Sequence, residues 1–364
     1  MIDTLERLLE STLNDNDLNF ELNHVNNKVK SASDIRDFLR KMNLPEKSFF
    51  LEKLKVENAY RANHTLFTFV LGLALVKFSK LDEVIKKEYG CYFTKKNDCF
   101  LKIWMITSLY HDYGYFIQDE YSTCQYLNEI KVENNIFDYR ENRKNNNQTG
   151  SSSCLVHKPR YSREIFESYY HCFYETKHDA NVQKVDDSIE HGITGGYVIF
   201  DEIMKRIKTM DSTEGCGISK DTIKNTYCYQ DLCFRIMEHN IWTINPKNEC
   251  CKKYLIKQLE PIFIGNYKKI DTTEPLLMIL SLADTIEYIK RLSYKYLDKK
   301  NEYRPLTLAK KIRVDIQEDF IYIEFDKSIK RNSGFKKWKE NILSLSDWLC
   351  VVTSSNDDSI TIRK

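Results

Sequence analysis

Apolar positions recur at three- and four-residue intervals through most of the chain up to about residue 300, then switch to alternation. Ser33 stands where a cap belongs before "DIRDFLRKM", and a long helical pattern runs from about 46 to 78. Asn97-Asp98 opens another, "CFLKIWMITSLYHD". Further helical spacing covers roughly 161–174, 186–208, 220–240 and 274–297. Beyond Leu297, "KIRVDI" and "FIYIEF" alternate on either side of "QED", which predicts a hairpin. One amphipathic helix follows, with Trp338, Ile342, Leu345 and Leu349 on a single stripe, and "CVVTSS" and "SITIR" read as two short strands. The expected fold is mainly α: a helical domain over 1–300 and a small α+β appendage over 301–364. Inside the helical part, "DYRENRKNNNQTGSSSCLVHKPR" has almost no apolar residue, so about 138–160 is expected to be a polar insertion.

Composition narrows the class. A chain of 364 residues with 42% apolar and 30% charged residues can bury a sizeable core. Its 55 basic and 53 acidic residues give a net charge of +2, so no global electrostatic footprint draws it to nucleic acid or anionic membrane. The eleven cysteines include no Cys-x-x-Cys pair, and the segment "MIDTLERLLESTLND" is charged from its third residue; both fit a cytoplasmic protein with free thiols. The most apolar run, "TLFTFVLGLALV" from Thr65, is too short to span a bilayer and reads as a buried helix.

Ionisable residues on apolar helices carry the chemistry. His64 shares a stripe with Phe67, Leu71 and Leu75; His239 shares one with Leu232, Ile236 and Trp242; Asp284 follows Leu277 and Leu280. His191 lies in "EHGITGGYVI", where Gly195 and Gly196 leave a face without side chains, suited to close approach of another helix. His111-Asp112 sits inside "LYHDYGYFIQ". Each histidine alone is readily explained as a satisfied core residue, but a buried carboxylate such as Asp284 needs a cation or donor, the more so with Glu287 one turn on. As a set, imidazoles and carboxylates on several helices are the ligands that borderline divalent metals take, and a helix bundle can bring them together.

The order His64, His111-Asp112, His191, His239, Asp284 resembles the H…HD…H…H…D signature of the HD superfamily of metal-dependent phosphohydrolases, over roughly residues 60–292. The resemblance implies an HD-domain helical bundle holding two divalent ions (Mn, Fe, Co, Ni or Zn). His64, His111 and Asp284 would hold one, His191 and His239 the other, and Asp112 would bridge them. It further implies hydrolysis of a phosphodiester, in a nucleotide or cyclic nucleotide, by a water ionised between metals about 4 Å apart. Tyr115 stands where many dinuclear members carry the lysine of an HDxGK sequence, so its expected part is a hydrogen bond to the phosphate. The interval from Asp112 to His191 is long and contains the polar insertion.

Arg61 and Arg235, one turn before His64 and His239, are candidate phosphate clamps. Cys154, His157, His171 and Cys172 could supply four zinc ligands but match no established spacing. Trp338 and Trp348 are expected to form the core of the appendage. The same ligand set also serves di-iron oxygenases, and a non-catalytic HD sensor that binds a nucleotide is a third reading. Single-stranded nucleic acid is a less favoured partner, since it requires a basic groove.

Overall fold

The structure, a computed structural model, describes residues 59–76, 78–89, 99–115, 136, 187–213, 220–239, 275–288, 311–331, 333–347 and 349–363. The polar stretch 138–160, the segment 161–174, the four candidate zinc ligands, Trp242 and Trp348 lie outside the described residues. The described part is mainly α. Its helices are α1 (Ala59–Leu75), α2 (Leu81–Tyr89), α3 (Cys99–Tyr110), α4 (Asp187–Thr213), α5 (Lys220–Glu238), α6 (Pro275–Ile286) and α7 (Ser333–Ser344). Its strands are β1 (Ile312–Ile316), β2 (Phe320–Phe325), β3 (Cys350–Thr353) and β4 (Ser359–Arg363). No helix among the described residues is long and apolar enough to cross a membrane.

The chain divides into two compact units, one drawn from residues 1–84 and 265–364 and the other from 85–264. Within the first unit, the C-terminal sheet shares a core with α1 and α6. Every residue of α6 except Asp284 is buried, as expected for a helix that is apolar on all sides. α1 packs on it through Phe67, whose ring meets Tyr288 edge-on at 5.1 Å. Tyr288 in turn meets Trp338 at 5.9 Å, and Phe335 lies 4.8 Å from Phe325 on β2. Trp338 is fully buried and its indole N–H donates to the Ile286 carbonyl at 3.0 Å, satisfying an orphan acceptor at the end of α6. The predicted stripe of Trp338, Ile342, Leu345 and Leu349 is therefore core, shared beyond the appendage.

The sheet is antiparallel throughout, in the order β1-β2-β4-β3. Alternation sets its register. Val314 faces Ile323 and Ile323 faces Ile360, so one buried row crosses three strands. The predicted "QED" turn closes with the Gln317 amide donating to the Phe320 carbonyl at 2.9 Å.

In the second unit, α3 packs against α4 and α5, and α4 lies along α5. Glycines set how closely they approach. A Cβ on Gly196 would lie 2.5 Å from both the Cys233 carbonyl oxygen and Met237 Cγ, and one on Gly192 2.9 Å from the Ile236 carbonyl oxygen. Gly192 and Gly196, one turn apart, thus give α4 a bare face toward α5. Gly195 points elsewhere: its Cβ would lie 2.9 Å from the Gly114 amide nitrogen, and a Cβ on Gly114 would overlap the His191 carbonyl. The single face expected from Gly195 and Gly196 is thus divided: Gly196, with Gly192, meets α5, and Gly195 meets the Gly114 backbone.

Candidate metal centre

Three helix-linked segments of the second unit bring His111, Asp112, His191 and His239 together. His111 is the first residue after α3 and His239 the first after α5. Each folds back on its own helix end: His111 Nδ1 donates to the Ser108 carbonyl at 2.6 Å, His239 Nδ1 to the Ile236 carbonyl at 2.7 Å. The last carbonyls of a helix have no ladder partner, so these bonds satisfy the backbone and fix the imidazole tautomer together. With the proton on Nδ1, each Nε2 presents a lone pair, the form in which histidine binds metal.

His191 enters from the fifth position of α4. Its Nε2 lies 3.2 Å from His239 Nε2 and 3.1 Å from Asp112 Oδ1, and His111 Nε2 lies 3.4 Å from the same carboxylate oxygen. All four residues are buried. Two nitrogens bound to one zinc at about 2.0–2.1 Å would stand roughly 3.3 Å apart in a tetrahedron and about 2.9 Å apart in an octahedron. The 3.2 Å between His191 Nε2 and His239 Nε2 falls between those edges. His111, Asp112 and His239 each offer a donor atom within 4.8 Å of the others'. A proton shared by two of these groups explains one short pair; the group His111, Asp112 and His239, with His191 Nε2 beside it, could hold a divalent ion. These four residues fit one divalent ion of the kind the resemblance implies.

Cys233, on α5 behind Gly196, is not part of that set. Burial, and then the Asp231 charge, push its thiol well above the ordinary range.

The first unit holds His64 and Asp284. His64, on α1 and 1% exposed, has its Nε2 2.8 Å from Asp284 Oδ1 and its Nδ1 2.6 Å from Glu287 Oε2. Glu287 is buried beside it, while Asp284 keeps some exposure. The carboxylate on Nδ1 orients the ring and strengthens Nε2 as a donor, the arrangement common behind metal-bound histidines. The sequence marked Glu287 as an unmet charge but not as this partner. The signal was the Asp-x-x-Glu spacing, which puts both carboxylates on one helical face.

The remaining candidates are placed unevenly. Tyr115 is half-buried with its ring stacked on His191, centroids 3.8 Å apart and planes 17° from parallel. Arg235 is buried, donating through Nη1 to Glu238 at 2.7 Å and through Nη2 to Asp231 at 3.0 Å, so two carboxylates of its own helix engage the fork expected to clamp phosphate. Arg61 lies on α1, but its side chain is outside the described residues. Comparison with family models, with curated proteins and with solved structures finds no match to this chain.

Proposed function

We propose that this protein is an HD-type, metal-dependent phosphohydrolase that cleaves a phosphodiester in a nucleotide or cyclic nucleotide. The observation that carries the reading is the cluster of His111, Asp112, His191 and His239, with donor atoms at ligand-edge spacing and two imidazoles fixed in the metal-binding tautomer. The residues that the resemblance would have hold two divalent ions are His64, His111, Asp112, His191, His239 and Asp284. When bound, such ions supply a water of lowered pKa and Lewis-acid stabilisation of charge on phosphorus. The chain's own contribution is positional. The helix-end carbonyls of Ser108 and Ile236 keep His111 and His239 aimed inward. The Asp112 carboxylate holds negative charge between His111 and His191, and burial of all four side chains excludes bulk water.

The test is elemental analysis of the purified full chain, loaded in turn with Mn, Fe, Co, Ni and Zn, with hydrolysis of a generic chromogenic diester and a nucleotide panel. Two bound ions and turnover that Asp112→Asn abolishes are expected. Absence of turnover on every substrate with every metal sinks the hydrolase reading. Substrate-dependent oxygen uptake by the iron form would then mark an oxygenase, and tight nucleotide binding without turnover a sensor.

A further inference from the structure

The three imidazoles of the second unit are held in two ways. His111 and His239 follow helix ends, where an unpaired carbonyl three residues back is available to Nδ1. His191 sits within α4, where backbone carbonyls are committed to the helical ladder. Another device orients it. Tyr115 lies flat against the imidazole, 3.8 Å between centroids, and covers one whole face of the ring. The chain is shaped to make this stack. The turn after Asp112 closes with the Tyr115 amide donating to the Asp112 carbonyl at 3.1 Å. The Gly114 and Gly195 backbones meet with no room for a Cβ, which seats residues 113–115 on α4 beside His191. Rotation of the imidazole about its Cβ–Cγ bond would drive it through the tyrosine ring.

We infer that Tyr115 is a positioning residue, an aromatic plate that sets the plane of His191 so that Nε2 faces Asp112 and His239. The inference rests on reading His191 as a metal ligand. It gives the residue that replaces the family's lysine a part that needs neither its charge nor its hydroxyl. The ring acts through His191 and touches no reacting atom.

Cobalt(II) is the probe, because its visible absorption reports coordination number and its affinity is measured by chelator competition, both without turnover. In the full-length protein, His191→Ala is expected to weaken cobalt binding and to shift the spectrum toward a more solvated ion. Tyr115→Leu, which removes the plate at a half-exposed position, is expected to weaken binding about 10- to 100-fold, the range for losing a residue that orients a ligand, with a spectral shift in the same direction. Tyr115→Phe, which keeps the ring, is expected to restore the wild-type spectrum and affinity to within about threefold, set against that range. If His191→Ala binds cobalt like wild type, the ligand reading fails. If His191→Ala is impaired while Tyr115→Leu is not, the ligand reading stands and the plate is overturned. If Tyr115→Phe is as impaired as Tyr115→Leu, the hydroxyl is the agent and the plate is again overturned. Should Tyr115→Leu fold poorly, Tyr115→Lys in the same assay keeps the question open to refutation, since a solvated lysine lacks the plate and must show the same loss.

Discussion

Gly196→Ala separates packing from helix propensity, because the two effects have opposite signs. An alanine at a solvent-facing interior helix position stabilises by about 1 kcal/mol relative to glycine. At Gly196 the new methyl would stand 2.5 Å from the Cys233 carbonyl oxygen and 2.5 Å from Met237 Cγ, about 0.9 Å short of the 3.4 Å at which ordinary contact begins. The methionine can turn aside. The carbonyl is helix backbone and cannot, so α4 and α5 must part. Overpacking of this kind costs about 1–3 kcal/mol, and a backbone obstacle puts it toward the upper end. Set against the propensity gain, the net expectation is a loss of roughly 1–2 kcal/mol. The consequence reaches the site. His191 lies five residues before Gly196 on α4 and His239 six residues after Cys233, and their Nε2 atoms are 3.2 Å apart. Widening that gap by most of an ångström exceeds the tolerance of about 0.2 Å on metal–ligand distances, so one histidine should leave the coordination sphere. Urea unfolding of the metal-free protein measures the first effect, and chelator competition with zinc measures the second. A variant as stable as wild type or more so, with unchanged zinc affinity, would refute the close approach of α4 and α5.

Glu287→Gln keeps an acceptor for His64 Nδ1 but removes its charge, so affinity for the His64-dependent ion should fall about 10-fold or more; unchanged affinity in competition titrations would reduce Glu287 to packing. Arg235→Met strands the buried carboxylates of Asp231 and Glu238 and should cost about 3–5 kcal/mol in denaturant unfolding. A cost under about 1 kcal/mol, the range of surface pairs, would free Arg235 from that structural part. In the left-handed turn residue Asp357, the Lys339 hydrogen bond lowers the carboxyl pKa. A lowered folded-state pKa contributes stability above the unfolded value near 3.9, which is lost as pH falls through the folded value, so the advantage over Asp357→Asn should shrink between about pH 5 and 3. That exposed pair contributes only about 0.2–1 kcal/mol, and an advantage that grows on acidification contradicts the pairing. Of Cys228, Cys233 and Cys350, only Cys350 is exposed, so peptide mapping after iodoacetamide treatment of folded protein should find it modified and Cys233 unmodified until denaturant is added.

The elements were legible wherever one local pattern dictated them. Alternation in "KIRVDI" and "FIYIEF" fixes both strands and their turn, since a one-residue slip would expose Val314 and Ile323. The packing between elements was less legible. Nothing local in Trp338 or Tyr288 says that one ring will meet the other edge-on across 50 residues of sequence. The candidate site shows the same split between type and placement. Residue type and helical context select His111, Asp112, His191 and His239, because buried ionisable groups on apolar helices need partners. What aims each ring is invisible in type alone. His111 and His239 are aimed by the accident of standing one residue past a helix end, which pattern places only to within a few positions. His64 is aimed by a carboxylate more than two hundred residues away, and His191 by a tyrosine that the motif resemblance presents as standing where a lysine is expected. Tyr115 and Arg235 drew attention for what their polar groups could do to a phosphate. In the folded chain Tyr115 offers a ring face to His191 and Arg235 a fork to its own helix, because buried side chains answer first to their neighbours.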